Sequence, residues 1–222
     1  MPTPSTVIFD LDGTLVDTAP DLAAALRAVL GAQGLASPSD EEVRVMIGGG
    51  AALMVRRAFE AARPGTGDRE IETALADFLD EYRANISVRS RPFAGVIETL
   101  DWLTARKARL GVCTNKYEAF SVALLRDLKI DHYFGSVLGG DSLPVRKPDG
   151  GHILGVIRAL GAAPEESIMV GDSATDVEAA RNTGIPVVVV SHGYTPVPAA
   201  ELGADAVIDS CAELPDALAQ FA

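Results

Sequence analysis

The stretch Val7-Ile8-Phe9-Asp10-Leu11-Asp12-Gly13-Thr14-Leu15-Val16-Asp17 constrains the fold more than any other part of the chain. Residues 5 to 11 are apolar and partly β-branched, and read as a buried strand. The stretch then delivers two carboxylates, one residue apart, into a glycine turn. A buried strand that ends in acids carries charge to the rim of a sheet, where ligands bind in open α/β proteins. If Asp10 is a nucleophile and Asp12 a general acid, later segments must supply a phosphate clamp and further metal-binding carboxylates.

The pattern changes after this strand. From Thr18 to about Val88 there are four helical patterns and no strand. Thr18, followed by Pro20 and Asp21, makes a start resembling a capping box, with Leu22, Leu26, Val29 and Leu30 at helical spacing. Ser37-Pro38-Ser39-Asp40 opens a short helix carrying Val43 and Ile47, which Gly48-Gly49-Gly50 stops. A third helix runs from Ala51 to about Arg63 with Val55 and Phe59 on one side. The fourth carries Ile71, Leu75, Phe78, Leu79 and Tyr82 on one stripe. Beyond Arg91-Pro92-Phe93-Ala94-Gly95, strands at Arg109–Thr114, Ser136–Gly140, Ser167–Gly171, Val187–Val190 and Ala206–Ile208 alternate with helices. One of these helices spans about 151–160, another Asp176–Thr183, and Ser210 caps the last. That alternation predicts an α/β fold, a three-layer Rossmann-like core on a mainly parallel sheet. An all-helical cap domain, residues 18–88, is inserted between the core segments 1–17 and 89–222.

Size and charge narrow the functions. A chain of 222 residues with 48% hydrophobic content can bury a sizeable core. Its formal net charge is −12, and it has no basic stripe with interleaved aromatics, so a nucleic-acid partner is not expected. No run approaches the roughly 20 apolar residues of a membrane span, and Met1-Pro2-Thr3-Pro4 has no charged n-region or h-region. The expected location is the cytoplasm. Cys113 and Cys211 form no CxxC, and Cys113 reads as a reduced core residue. The histidines, His132, His152 and His192, fall in no catalytic pattern and read as structural or exposed.

Four polar sites follow strands or the loops beyond them. Asp10-Leu11-Asp12-Gly13 lacks the third ligand and leading helix of a calcium loop, leaving an acid-rich turn or a catalytic pair. Thr114-Asn115, with Lys116 next, ends a strand and reads either as a helix-capping pair or as phosphate ligands. Lys147 in Arg146-Lys147-Pro148-Asp149 precedes a helix and is either a solvated lysine or one aimed at an anion. Asp172 and Asp176 stand four residues apart at a strand-to-helix turn, suited to helix capping or to a hard cation such as Mg²⁺. In a parallel sheet all four sites converge on one edge.

With these motifs the chain resembles the haloacid dehalogenase superfamily of phosphohydrolases, most closely its phosphoglycolate phosphatase branch. The likeness runs nearly end to end and includes Phe93-Ala94-Gly95-Val96-Ile97-Glu98-Thr99-Leu100 and Ala204-Asp205-Ala206-Val207-Ile208-Asp209. The resemblance implies that Asp10 attacks phosphorus and forms an aspartyl phosphate. Asp12 then protonates the leaving alcohol and activates the water. Asp10, the main-chain carbonyl of Asp12 and Asp172 would hold Mg²⁺, with Asp176 supporting its water shell. Thr114 and Lys147 would take phosphoryl oxygens, helped by backbone N–H groups near Asn115 and Gly13. The helical insert would close over the site as a cap. There Gly48, Gly49 and Gly50 would meet the carboxylate of a small substrate, with Arg56 or Arg57 assisting; a plain helix–helix turn and solvated arginines are the alternative. Two positions depart from the family pattern. Gly150 stands where proline is usual, so Gly150-Gly151 should loosen the helix start behind Lys147, and Ala94 replaces a frequent proline at a hinge. The implied function is Mg²⁺-dependent hydrolysis of a small phosphorylated metabolite, 2-phosphoglycolate above others. The alternatives are another capped phosphatase for sugar phosphates, nucleotides or pyrophosphate, a phosphosugar mutase, or a non-catalytic binding module. No membrane partner is implied, and the chain would act as a monomer or homodimer.

Overall fold

Residues 4–221 are described by a computed structural model of the chain. Six strands form one parallel sheet: β1 Thr6–Phe9, β4 Arg109–Cys113, β5 Ser136–Leu138, β6 Ser167–Gly171, β7 Val187–Val190 and β8 Ala206–Ile208. Their spatial order is β5-β4-β1-β6-β7-β8, which puts β1 at the centre between β4 and β6. Side chains alternate across the pleat with a period of two. Val7, Phe9, Val112 and Val170 face one apolar layer that includes helices α5 Val96–Ala105, α6 Glu118–Asp127 and α9 Leu214–Leu218. Ile8, Cys113, Met169 and Val189 face the opposite layer, made by α7 Gly150–Ala159 and α8 Ala174–Arg181. Burial on both faces is why these strands read as continuous apolar runs. Cys113 and Cys211 are buried free thiols.

Between β1 and β4 stand four helices: α1 Ala19–Ala32, α2 Asp40–Arg44, α3 Ala51–Ala62 and α4 Asp68–Ala84. Their buried faces, among them Leu26, Val55, Phe59, Phe78 and Tyr82, join the same apolar cluster as the α5–α6 side of the sheet. The junction is aromatic: Tyr82 of α4 stacks on Phe120 of α6 with ring centroids 5.8 Å apart. Ser39 caps α2 through a reciprocal capping box with Glu42.

The chain enters and leaves the four helices through two short strands that pair antiparallel, β2 Val16–Asp17 and β3 Arg91–Pro92. Each is too short to show a sequence period, and neither was expected. The predicted capping box at Thr18 is also absent, since the Thr18 side chain makes no cap hydrogen bond. The Tyr194 hydroxyl, far along the chain, accepts the N–H groups of Thr18 (2.8 Å) and Ala19 (3.1 Å) instead. Asp21 is likewise diverted: its buried carboxylate accepts the N–H groups of Arg89 and Ser90 and the Ser90 hydroxyl, pinning the returning strand to α1. Strand β1 is shorter than the 5–11 expected because the chain turns at Leu11, whose carbonyl accepts the N–H groups of Leu15 and Val16.

Candidate active site

The carboxyl ends of β1, β4 and β6, with the loop after β5, bring Asp10, Thr114, Asp172 and Lys147 together, all buried. Lys147 Nζ lies 2.6 Å from Asp176 Oδ1 and 2.9 Å from Asp10 Oδ1. Only the Asp176 contact has hydrogen-bond geometry, so Asp10 Oδ1 is buried without a donor among the described residues. Burial works against the Lys147 ammonium, but the carboxylates of Asp10 and Asp176 outweigh it and its pKa is raised. Asp10 and Asp172 are pushed up, chiefly by burial and also by neighbouring carboxylates, against the pull of Lys147.

Backbone geometry fixes the acids. Asp176 Oδ2 accepts the N–H groups of Asp172 (3.2 Å) and Ser173 (3.1 Å), closing the β6–α8 turn as a capping box. Asp172 Oδ1 accepts the Thr14 hydroxyl at 3.2 Å, and Oδ2 accepts the Tyr194 N–H at 2.7 Å. Asp10, Asp172 and Asp176 each offer an oxygen within 4.8 Å of the others, and the Asp12 side chain is outside this group. Two of these three hard oxygen donors, Asp10 and Asp176, share one ammonium, and Asp10 Oδ1 has no hydrogen-bond partner among the described residues. That donor set fits a small divalent cation.

Gly150-Gly151, expected to loosen the placing of Lys147, opens α7. A Cβ at Gly150 would lie 2.7 Å from Thr183 Cγ2 and 3.1 Å from the Asn182 carbonyl carbon, so α7 begins in close contact with the end of α8. Asp149 caps the helix by accepting the Gly151 N–H at 2.7 Å. Behind it, His152 Nδ1 accepts the Lys147 N–H at 3.3 Å. The other histidines stay clear of the acids: His132 is exposed beside Tyr133, and His192 packs on Phe93.

Gly13 does not offer its N–H to a ligand, because that group is bonded to Val16 O at 3.0 Å. Its requirement is steric. At φ +88°, a Cβ would meet Asp172 Oδ2 at 2.5 Å, so only glycine lets the β1 turn approach the second acid. Thr114 Oγ1 accepts the Lys116 N–H at 3.2 Å. Asn115 Nδ2 donates to Gly48 O (3.0 Å) and Lys147 O (3.1 Å), tying the glycine loop of the four helices to the lysine loop of the core.

Asp10 and Asp12 open on a cavity between the four helices and the sheet, enclosing about 510 Å³ of space, open solvent included. Gly48, Gly50 and Ala51 line it from one side, and Thr114, Asn115 and Lys116 from the other. Gly49 lines a neighbouring cleft with Arg57, Asp12 and Asp172. Arg56 is turned away to Asp68 and Glu60. Two neighbours escaped the sequence reading. Lys116 Nζ lies 3.0 and 3.2 Å from the two oxygens of Asp12. Tyr194 joins Asp172 to the entry strand, its hydroxyl donating to Asp17 Oδ1 at 2.5 Å. A lysine after Thr-Asn carries no spacing that would mark it, and a lone tyrosine in a loop carries less.

A six-stranded parallel sheet that gathers acids, a hydroxyl and a lysine at one edge defines a Rossmann-like α/β protein with a candidate catalytic edge. The comparisons place it: the family model for haloacid dehalogenase-like hydrolases matches residues 7–190, and the chain belongs to that family. The chain is 45% identical over 211 residues to a phosphoglycolate phosphatase of Agrobacterium fabrum, covering 95% of this chain and 91% of that one. It is 43% identical over 213 residues to one of Caulobacter vibrioides, covering 96% and 90%. A crystal structure of a predicted phosphoglycolate phosphatase from Haemophilus somnus superposes with a TM-score of 0.92 at 33% identity, covering 98% and 99% of the two chains.

Proposed function

We propose that the protein hydrolyses a small phosphomonoester through an aspartyl phosphate on Asp10, with 2-phosphoglycolate as substrate and Mg²⁺ as cofactor. The observation that carries this reading is Asp10 itself. It is buried at the end of the central strand beside the Lys147 ammonium, has one oxygen without a donor, and opens on the same cavity as Asp12. The relatives named above support the choice of phosphoglycolate.

Asp10 and Asp172 would hold the Mg²⁺ together with the main-chain carbonyl of Asp12, which the family resemblance adds, and Asp176, whose oxygens take Lys147 and the β6–α8 turn, would support its water shell. The cation supplies charge neutralisation for a phosphate approaching a carboxylate. Lys147 and the Thr114 hydroxyl take phosphoryl oxygens, and Asn115 sets the neighbouring loops. One Asp10 oxygen bonds to phosphorus as the bond to the ester oxygen breaks, and Asp12 gives its proton to the departing alkoxide. Asp12 then takes a proton from a water whose oxygen attacks phosphorus, and the Asp10 carboxylate is released with phosphate. Residues 18–88 act as the cap that excludes bulk water and selects the leaving group.

The test is phosphate release with Mg²⁺ across phosphoglycolate, sugar phosphates, nucleotides and pyrophosphate. Asp10→Asn should remain folded and lose at least about a thousandfold in kcat. Turnover comparable to the parent would reject Asp10 as nucleophile. A preference below tenfold for phosphoglycolate would reject the substrate and leave the phosphatase class standing.

A further inference from the structure

We infer that Lys116, the Tyr82 hydroxyl and the first turn of α3 form a subsite for a carboxylate on the leaving group, so that Lys116 is a specificity-determining residue. The inference rests on the phosphatase reading above and assigns to it one end of the substrate.

Lys116 is spare for phosphoryl binding. Lys147 already stands at Asp10, and Lys116 pairs with Asp12 instead, with its Nζ 4.6 Å from the centroid of the Tyr82 ring. Its side chain is 6% exposed, and Asp12 is its sole carboxylate partner among the described residues. During turnover Asp12 must engage the ester oxygen, which withdraws it from Lys116. A buried ammonium left without a counter-ion costs several kcal/mol, so the ligand best suited to this cavity brings a second negative charge. An ester oxygen within hydrogen-bonding reach of Asp12 is one contact away from Lys116 Nζ. A carboxylate on the carbon bearing that oxygen spans this gap.

Two further donors face the same space. Tyr82 Oη is buried and has no hydrogen-bond partner among the described residues. Helix α3 starts at Ala51 after Gly50, which has no side chain to cap it, and both residues line the cavity. The first N–H groups of such a helix favour an anion. The rest of the wall, including Leu22, Ile47, Met54, Phe78, Leu79 and Phe120, is apolar. A sugar or nucleoside would leave its hydroxyls facing hydrocarbon there, whereas a two-carbon acid would not.

The experiment compares kcat/KM for 2-phosphoglycolate and ethyl phosphate, which share a carbon skeleton and differ in the carboxylate. The ratio of the two should fall about 30- to 100-fold in Lys116→Met, as for loss of a hydrogen-bonded buried charge. Lys116→Arg should recover part of it. In Tyr82→Phe, which leaves the Lys116–Asp12 pair intact and covers a misfolded Lys116→Met, the ratio should fall about 3- to 10-fold. A parent that favours the carboxylate-bearing ester, with variants that keep the parent ratio within threefold, overturns this inference alone. A parent without that preference overturns the substrate reading as well.

Discussion

Around Lys147, the Asp176 carboxylate, His152 Nδ1 and the capped start of α7 have hydrogen-bond partners among the described residues, and one Asp10 oxygen and His152 Nε2 are left over. Around Lys116, on the side facing the four helices, the Tyr82 hydroxyl has no partner and the start of α3 has no side-chain cap. The first arrangement is settled before a ligand arrives, as preorganised electrostatics requires where charge must be stabilised during reaction. The second holds its donors unspent. A family that keeps one chemistry and varies the leaving group has reason to build its site in this way. On the phosphatase reading, the phosphoryl end of the substrate would meet a finished wall and its leaving group an unfinished one.

Removing the lysine of the finished wall should have the largest effect. Lys147→Met leaves Asp10, Asp172 and Asp176 buried without their ammonium. Urea unfolding at neutral pH with chelator present should show a loss of about 3–5 kcal/mol, the cost of breaking a buried pair from one side. Added Mg²⁺ should return part of that stability to the variant. A variant as stable as the parent without metal would mean that the three acids do not repel, and the contrast between the two walls would be lost.

What the sequence revealed follows the same division. Asp10, Thr114 and Asp172 were legible because each stands at a predicted strand end, with Asp12 in the turn after the first strand and Asp176 in the first turn of the helix after Asp172, so a local pattern fixed their place beside the sheet. The strands Ser167–Gly171, Val187–Val190 and Ala206–Ile208 lie where the apolar runs put them. Contacts made across the chain were not legible. Asp21 looked like a first-turn acid of α1, yet it spends its oxygens on Arg89 and Ser90. Thr18 looked like a cap, yet the Tyr194 hydroxyl serves its N–H. Lys116 had no motif of its own, and its meaning comes from Asp12 and from Tyr82 of α4. Gly150 looked like a weakness and is a packing requirement, visible only once α8 lies against α7.

A smaller effect should appear in acid. His152 is buried behind Lys147, and burial, with the nearby Lys147 charge, lowers its pKa from 6.5 to about 4. The unfolded chain therefore takes up this proton first as the pH falls. The stability that the neutral ring provides is full above about pH 6.5 and is lost progressively toward pH 4. In that window His152 adds a slope of at most about 1.4 kcal/mol per pH unit. His152→Gln should flatten the dependence of urea stability on pH by that amount or less. An identical slope in parent and variant would show that the ring is not held neutral, and that the backing of Lys147 is looser than the Nδ1 contact implies.

The smallest change is expected at the unfinished wall, and its sign is what matters. The Tyr82 ring is packed between Phe78 and Phe120, with centroids 5.9 and 5.8 Å away, and Phe keeps that stacking. Its hydroxyl, whose pKa burial pushes up to about 12 against the pull of Lys116, has no hydrogen-bond partner. Removing a buried hydroxyl that bonds to nothing removes a desolvation cost and no contact. Tyr82→Phe should therefore leave the ligand-free protein as stable as the parent, or more stable by up to about 1 kcal/mol. The same change at a satisfied hydroxyl would cost about that much. Thermal unfolding without ligand decides it. A loss above about 1 kcal/mol would mean that Tyr82 already holds a partner in the empty site, so that this wall is as finished as the one around Lys147.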